Sequence, residues 1–286
     1  MNTAVITGVS SGIGLGIARV LSQHGWLVFG SVRKRADGER VQRELGDRFV
    51  PLEFDVTDGA AVNRAADLVR DRLQRQTLSG LVNNAGVAVP GPLLHQPIED
   101  FQQQLDINVV GVLRVVQAFA PLLGADPALS GRSGRVVNIS SVGGRLAPPF
   151  LGAYAASKHA IEGLSESLRR ELMLYGIDVV IVGPGAVATP IWDKAQEVDL
   201  APYAHTDYVE SMKTFRDAAL KDGRAGFPPE RVGDVVLRAL TVSRPRVRYA
   251  VVPKSLVNWT LPRLLPRRWI DRLIASRLKM NSANRR

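Results

Sequence analysis

Residues 7–14 read TGVSSGIG, and the run leading into them, TAVIT at 3–7, is short, β-branched and apolar. LGIARVLSQHG follows directly, so the stretch reads as strand, glycine turn and helix. Glycines at 8, 12 and 14 permit a tight turn, close approach of a ligand to the main chain, and tight helix–sheet contact. Free N–H groups where the helix begins would face a pyrophosphate. The spacing is GxxxGxG, not the standard GxGxxG dinucleotide fingerprint, and no GK[ST] follows as in a triphosphate-binding loop. A loop that only turns the chain is the competing reading. Its place after the first strand of a βα series favours cofactor binding.

Outward from this turn, apolar strands alternate with helices. Strands are expected at 26–32, 49–56, 80–86, 134–141, 176–185 and 247–252. Helices are expected at 39–46, 59–75, 98–123, 152–175 and 228–242, and 190–225 is too mixed to read. Such alternation predicts an α/β doubly wound domain, a mostly parallel sheet with helices on both faces. The 286 residues, 45% hydrophobic, suffice for one large core, and no Gly-, Ser- or Pro-rich linker divides them. The expected organisation is one catalytic domain at 1–250 with a lid over about 190–225. An extension at 251–286 packs on it and ends in disorder.

Charge separates the same two parts. The chain carries +10, and residues 244–286 alone carry +11, which leaves −1 for the rest. A surface that tracks nucleic acid should be basic across its body, so no nucleic-acid partner is expected. Cysteine is absent, which excludes disulfides and thiolate chemistry. The four histidines are too far apart for a zinc helix, so no metal is expected. MNTAVITGVSSG has no basic leader, and no apolar run reaches the ~18–20 residues of a bilayer span. The expectation is a cytoplasmic protein.

Three polar groups then come together. Tyr154 and Lys158 in GAYAASK are i and i+4, on one face of a helix. An ammonium beside a phenol favours the phenolate and lowers its pKa, which suits an acid/base. Ser141 ends the strand at 134–141, where active groups of this architecture lie. Asp55 also closes a strand, placed to accept from an adenine amino group or to cap the helix starting near Gly59.

These features resemble the classical short-chain dehydrogenase/reductases, with the retinol and hydroxysteroid dehydrogenases as the nearest branch in style. The resemblance rests on TGVSSGIG at 7–14, DV at 55–56, NNAG at 83–86 and Asn108 in DINVVG. It continues with SS at 140–141, YAASK at 154–158 and PGAVAT at 184–189, in the family's order. It implies Tyr154 as general acid/base, Lys158 as its partner and ribose ligand, Ser141 orienting the substrate oxygen, and Asn108 holding a relay water. It implies Gly8, Ser10, Ser11, Gly12, Ile13 and Gly14 around the pyrophosphate, and Asp55 and Val56 near adenine. Asn83, Ala85 and Gly86 would line the cofactor, with Pro184, Gly185, Val187 and Thr189 beside the nicotinamide. Homodimers or homotetramers through helices matching 98–123 and 152–175 are also implied. A non-catalytic binding protein on the same fold is the alternative.

The cofactor turns on GSVRKR at 30–35. An NAD site carries an acid at the end of strand two, and Val32 stands there. Arg33 follows, and its planar fork suits a 2′-phosphate, with Ser31 and Lys34 as helpers. NADP(H) is therefore expected, with NAD(H) as the alternative. Substrate contacts are expected from Val87, Gly143, Leu151, Ile191, Trp192 and Tyr203, mostly apolar, for a fairly hydrophobic ketone or alcohol. In LPRLLPRRWIDRLIASRLKM at 261–280, Ile270, Leu273, Ile274 and Leu278 recur at helical spacing among arginines. Such a helix packs on the fold over the cleft, or contacts a membrane peripherally.

Overall fold

The structure, a computed structural model, describes residues 1–280 apart from 198, 254 and 256–258. The tail end at 281–286, where disorder is expected, lies outside the described residues. Seven strands form one sheet: β1 (Thr3–Ile6), β2 (Leu27–Val32), β3 (Phe49–Glu53), β4 (Gly80–Asn83), β5 (Arg135–Ile139), β6 (Asp178–Pro184) and β7 (Arg248–Val251). Their order is β3-β2-β1-β4-β5-β6-β7, and every neighbouring pair is parallel. A parallel sheet is covered on both faces, so its inner strands read as unbroken apolar runs. All four residues of β1 are accordingly buried.

Helices α1 (Gly12–Gln23) and α2 (Arg35–Leu45) share one core layer with α9 (Pro229–Thr241), built on Ile17, Leu21, Val41 and Val236. The other layer holds α3 (Gly59–Leu73), α5 (Gly111–Phe119) and α6 (Gly152–Glu171), with Val62, Val69, Val115, Phe119 and Ile161 inside. α2 starts earlier than its sequence suggests. Gly38 lies inside it because a Cβ there would come within 2.9 Å of Pro51. The helical stretch at 98–123 divides into α4 (Ile98–Leu105), a wide π turn at Asp106–Val110, and α5.

The unreadable stretch contains α7 (Ile191–Gln196) and α8 (Val209–Arg224), and the tail contains α10 (Leu261–Leu264) and α11 (Arg267–Arg277). Ile274 and Leu278 of the tail pack in one cluster with Met212 and Phe215 of α8, Phe150 and Tyr203. Through these two residues the end of α11 lies against the body, while Trp269 and Leu273 are exposed. Winding reverses between β1 and β4, so the loops after these strands diverge and leave a crevice at their C-terminal ends. The glycine turn, residues 84–87, Ser141 and the segment after β6 all emerge at this edge.

Candidate active site

The glycine turn is built by contacts. Gly8 and Gly12 have φ of +71° and +60°, a region that favours glycine. A Cβ on Gly14 would stand 2.2 Å from the Gly8 carbonyl oxygen and 2.5 Å from Asn84 Nδ2. Asn84 Nδ2 donates to the carbonyls of Thr7 and Gly8 at 2.9 and 3.0 Å, and Thr7 Oγ1 accepts from the main chain of Asn84 and Ala85. Ser31 Oγ accepts from Gly8 N at 2.9 Å, which ties β2 to the turn. Ser11, Gly12 and Ile13 line the cleft, with Thr189 facing Gly12 across it. A phosphate-bearing cofactor fits this cradle, since the tight turn sets the start of α1, where no side chain caps the helix, against the cleft.

Other cofactor candidates divide. Pro184, Gly185, Val187 and Thr189 line the same cleft. Asn83 is buried within the sheet, where its Nδ2 donates to Asn138 Oδ1 at 2.8 Å, and Asn84 is the asparagine at the cleft. Ala85 packs on Gly8, and Gly86 lies beside Asn108 Oδ1. Asp55 Oδ1 accepts from both N and Oγ1 of Thr57, and Val56 is buried. Asp58, not Asp55, caps α3 through Ala61 N, being one residue from the first turn. Ser10, through its carbonyl, receives a hydrogen bond from Arg40 Nη2, a cation of α2 beyond the GSVRKR run. Arg33 and Lys34 are exposed after β2, while Arg35 pairs with Glu39 at 2.9 Å.

Tyr154, Lys158 and Ser141 line the cleft together, and Asn108 is joined to them through Ser157. Lys158 Nζ is buried and donates to the Ile139 carbonyl at 2.9 Å. Ser141 Oγ accepts from Gly143 N at 3.0 Å, and Ser141 and Tyr154 line the cleft together. Ser140, next to it at the cleft, is buried, and its Oγ has no hydrogen-bond partner among the described residues. Asn108 sits in the π turn between α4 and α5. Its Oδ1 accepts from Val87 N, and its Nδ2 donates to Val87 O and to Ser157 Oγ. Ser157 Oγ donates in turn to the Tyr154 carbonyl at 2.7 Å. Ser157 was invisible as a site residue because its role is to join two helices, not to face the cleft.

Burial changes the expected electrostatics. Spacing alone predicts a phenol lowered by its lysine. In the structure, burial pushes the Tyr154 phenol above its ordinary value, and Ser141 only opposes this. Burial also lowers the Lys158 amine to about 8, against the pull of Glu162. A phenol kept protonated at neutral pH is suited to give a proton.

The cleft widens into a cavity of about 1160 Å³. Val87, Gly143, Leu151, Ile191 and Trp192 line it together with Ser141, Tyr154 and Lys158. Tyr203 does not line it; it is buried behind, packed with Phe150 and reaching Gly91. Met212 and Phe215 of α8 and Ile270 and Ile274 of α11 form the far wall, the last two from the amphipathic tail helix expected over the cleft. Among the described residues no group of three or more His, Asp or Glu could hold a metal.

Residues 2–199 match the family model described as short chain dehydrogenase. The chain belongs to this family. It is 40% identical over 279 residues to a protein named NADPH-dependent 3-dehydrocapnine reductase from Ornithobacterium rhinotracheale, covering 98% of each chain. It is 34% identical to mouse retinol dehydrogenase 5, over 94% of this chain and 86% of that one. A short-chain dehydrogenase/reductase structure from Burkholderia phymatum in complex with NAD superposes with a TM-score of 0.74, at 26% identity over 90% of each chain. The chain is thus a nicotinamide-dependent oxidoreductase of the short-chain dehydrogenase/reductase family, in its retinol and hydroxysteroid dehydrogenase-like branch.

Proposed function

We propose that this oxidoreductase is an NADPH-dependent reductase of a fairly hydrophobic ketone or aldehyde, the reverse oxidation of its alcohol being the same reaction run backwards. The observation that carries this is the large, mainly apolar cavity opening on Tyr154 and Ser141. When bound, the nicotinamide supplies the hydride for the carbonyl carbon. The Tyr154 hydroxyl gives its proton to the carbonyl oxygen, and burial keeps that proton in place until it is needed. The Ser141 hydroxyl donates to the same oxygen and fixes its position. Lys158, one helical turn away, stabilises the phenolate left behind. Asn108, held at three points, would hold the water through which Tyr154 regains a proton from solvent.

The glycine turn would hold the pyrophosphate, with Gly8, Ser10, Ser11, Gly12, Ile13 and Gly14 around it. Arg33, exposed directly after Val32, which stands where an NAD site carries an acid, would meet the 2′-phosphate with Lys34 beside it. The NADPH dependence in the name of the 40% identical relative supports this preference. Turnover of a panel of hydrophobic ketones with NADPH and with NADH tests it. The reading requires a kcat/KM at least ten times higher with NADPH, and equal values overturn the preference.

A second reading concerns the tail. Trp269, Leu273 and Leu264 are exposed among Arg263, Arg268 and Arg272, on the side away from Ile274. Basic residues beside exposed Trp and Leu suit an anionic lipid surface. We infer peripheral contact there, while the inward face closes the cavity. No described helix is long and apolar enough to cross a membrane. Co-sedimentation with phosphatidylserine vesicles should fall when Trp269 and Leu273 are both changed to glutamate; unchanged binding discards the idea. Self-association through α4, α5 and α6 is part of the same reading, checked by light scattering.

A further inference from the structure

Glu162 lies one turn beyond Lys158 on α6 and is buried. Two arginines from different parts of the chain converge on it. Arg145, in the turn after β5, reaches its Oε2 at 3.1 Å. Arg248, on the edge strand β7, donates through Nε to both carboxylate oxygens, at 3.0 and 3.2 Å. The same Arg248 extends Nη2 to the Ser141 carbonyl at 3.4 Å. Its guanidinium stacks 4.4 Å from the ring centre of Trp259, and Arg263 stacks on that ring at 4.7 Å. Trp259 itself is buried.

The backbone around this chain of contacts is cleared for it. A Cβ on Gly183 would meet Arg248 Nη2 at 2.4 Å, so β6 carries no side chain where the guanidinium crosses. A Cβ on Gly144 would come within 3.1 Å of Glu162 Cγ and 3.0 Å of the Lys158 carbonyl. A carboxylate buried between two guanidiniums, each bonded to it through Nε, holds its neighbours in one arrangement.

We propose that Trp259, Arg248 and Glu162 are positioning residues. The C-terminal segment fixes Arg248, and Arg248 fixes the main chain of Ser141 on one side and Glu162 below Lys158 on the other. The inference rests on the reading of Ser141, Tyr154 and Lys158 as catalytic. It gives the extension beyond β7 a role in the chemistry, besides covering the cavity. Glu162 has a second effect. The charged groups around Lys158 are Glu162 on its own helix, Arg145 from the turn after β5 and Arg248 from β7, with the Tyr154 hydroxyl as the other titratable neighbour. Glu162 is the anion among them, and it opposes the burial that lowers the Lys158 amine.

The test compares Glu162→Gln, Arg248→Lys, Trp259→Ala and Trp259→Phe in the full chain. Titration of Lys158 by NMR of ¹³C-lysine-labelled protein reads the first effect without any turnover. Glu162→Gln should move the midpoint below about 8. An unmoved midpoint overturns the electrostatic part, whether or not the protein proves to be a reductase. Wild-type protein that turns over no carbonyl compound would sink the catalytic reading instead. With turnover in hand, Trp259→Ala and Arg248→Lys should lower kcat about tenfold while KM for NADPH stays within twofold, and Trp259→Phe should restore most of it. A kcat unchanged in folded Trp259→Ala, with near-ultraviolet circular dichroism as the check on folding, overturns the positioning role. Should Trp259→Ala not fold, Arg248→Lys decides on the same criterion.

Discussion

Lys158 Nζ lies 5.7 Å from the centre of the Tyr154 ring and is anchored by the Ile139 carbonyl at 2.9 Å. The two groups are pushed in opposite directions by the same burial, the phenol up and the amine down to about 8. In the reductive direction the active form has Tyr154 protonated and Lys158 charged. Activity should therefore hold through neutral pH and fall as pH rises past about 8, when the ammonium is lost. A kcat profile between pH 6 and 10 checks this.

The lysine also has a stability signature. Between about 8 and its ordinary 10.5, the unfolded chain keeps the Lys158 proton and the folded chain does not. Stability from this residue thus rises with pH across that window and is at its lowest below it. Lys158→Met should accordingly abolish turnover yet raise Tm at pH 6.5, and the gain should shrink towards pH 10. Differential scanning calorimetry at both pH values measures it.

Arg33 is exposed directly after β2, and the proposed NADPH site sets it against the 2′-phosphate. Arg33→Ala should lower kcat/KM with NADPH by about 10- to 100-fold, the worth of a charge-assisted bidentate contact, and leave NADH within twofold. Steady-state kinetics with both cofactors decide it.

Gly14→Ala places a methyl group 2.2 Å from the Gly8 carbonyl oxygen. The turn must open to accommodate it, which destabilises the fold by about 1–3 kcal/mol as other overpacked sites do. Urea unfolding should show the loss, and fluorescence titration should show weakened NADPH binding.

Ile274 lines the far wall of the cavity from α11. Ile274→Trp should fill that space and raise KM for long-chain ketones at least tenfold, while short ketones are turned over as before. A series of 2-alkanones from five to thirteen carbons measures the shift.

The parts legible in the sequence are those governed by local rules. Buried parallel strands read as apolar runs, the glycine turn announces itself, and Tyr154 with Lys158 shares a helix face at i and i+4. The parts not legible depend on distant residues. Asn83 and Asn84 are adjacent, yet Asn83 ends β4 paired with Asn138 while Asn84 begins the loop at the cleft. Arg40 reaches Ser10 only because α2 folds back beside the glycine turn. α8 has a polar, half-buried surface whose partner is the tail, so its periodicity is diluted. The direction of the Tyr154 shift was also hidden, since a sequence shows the nearby lysine but not the depth of burial.

Tyr154→Phe removes one oxygen from the site and tests the account most directly. Turnover of a ketone with NADPH should fall by about 10²- to 10⁴-fold, the usual worth of a positioned acid/base. NADPH binding, followed by its fluorescence, should stay within twofold of the parent protein. Turnover that matches the parent protein would contradict the assignment of Tyr154 as the proton donor.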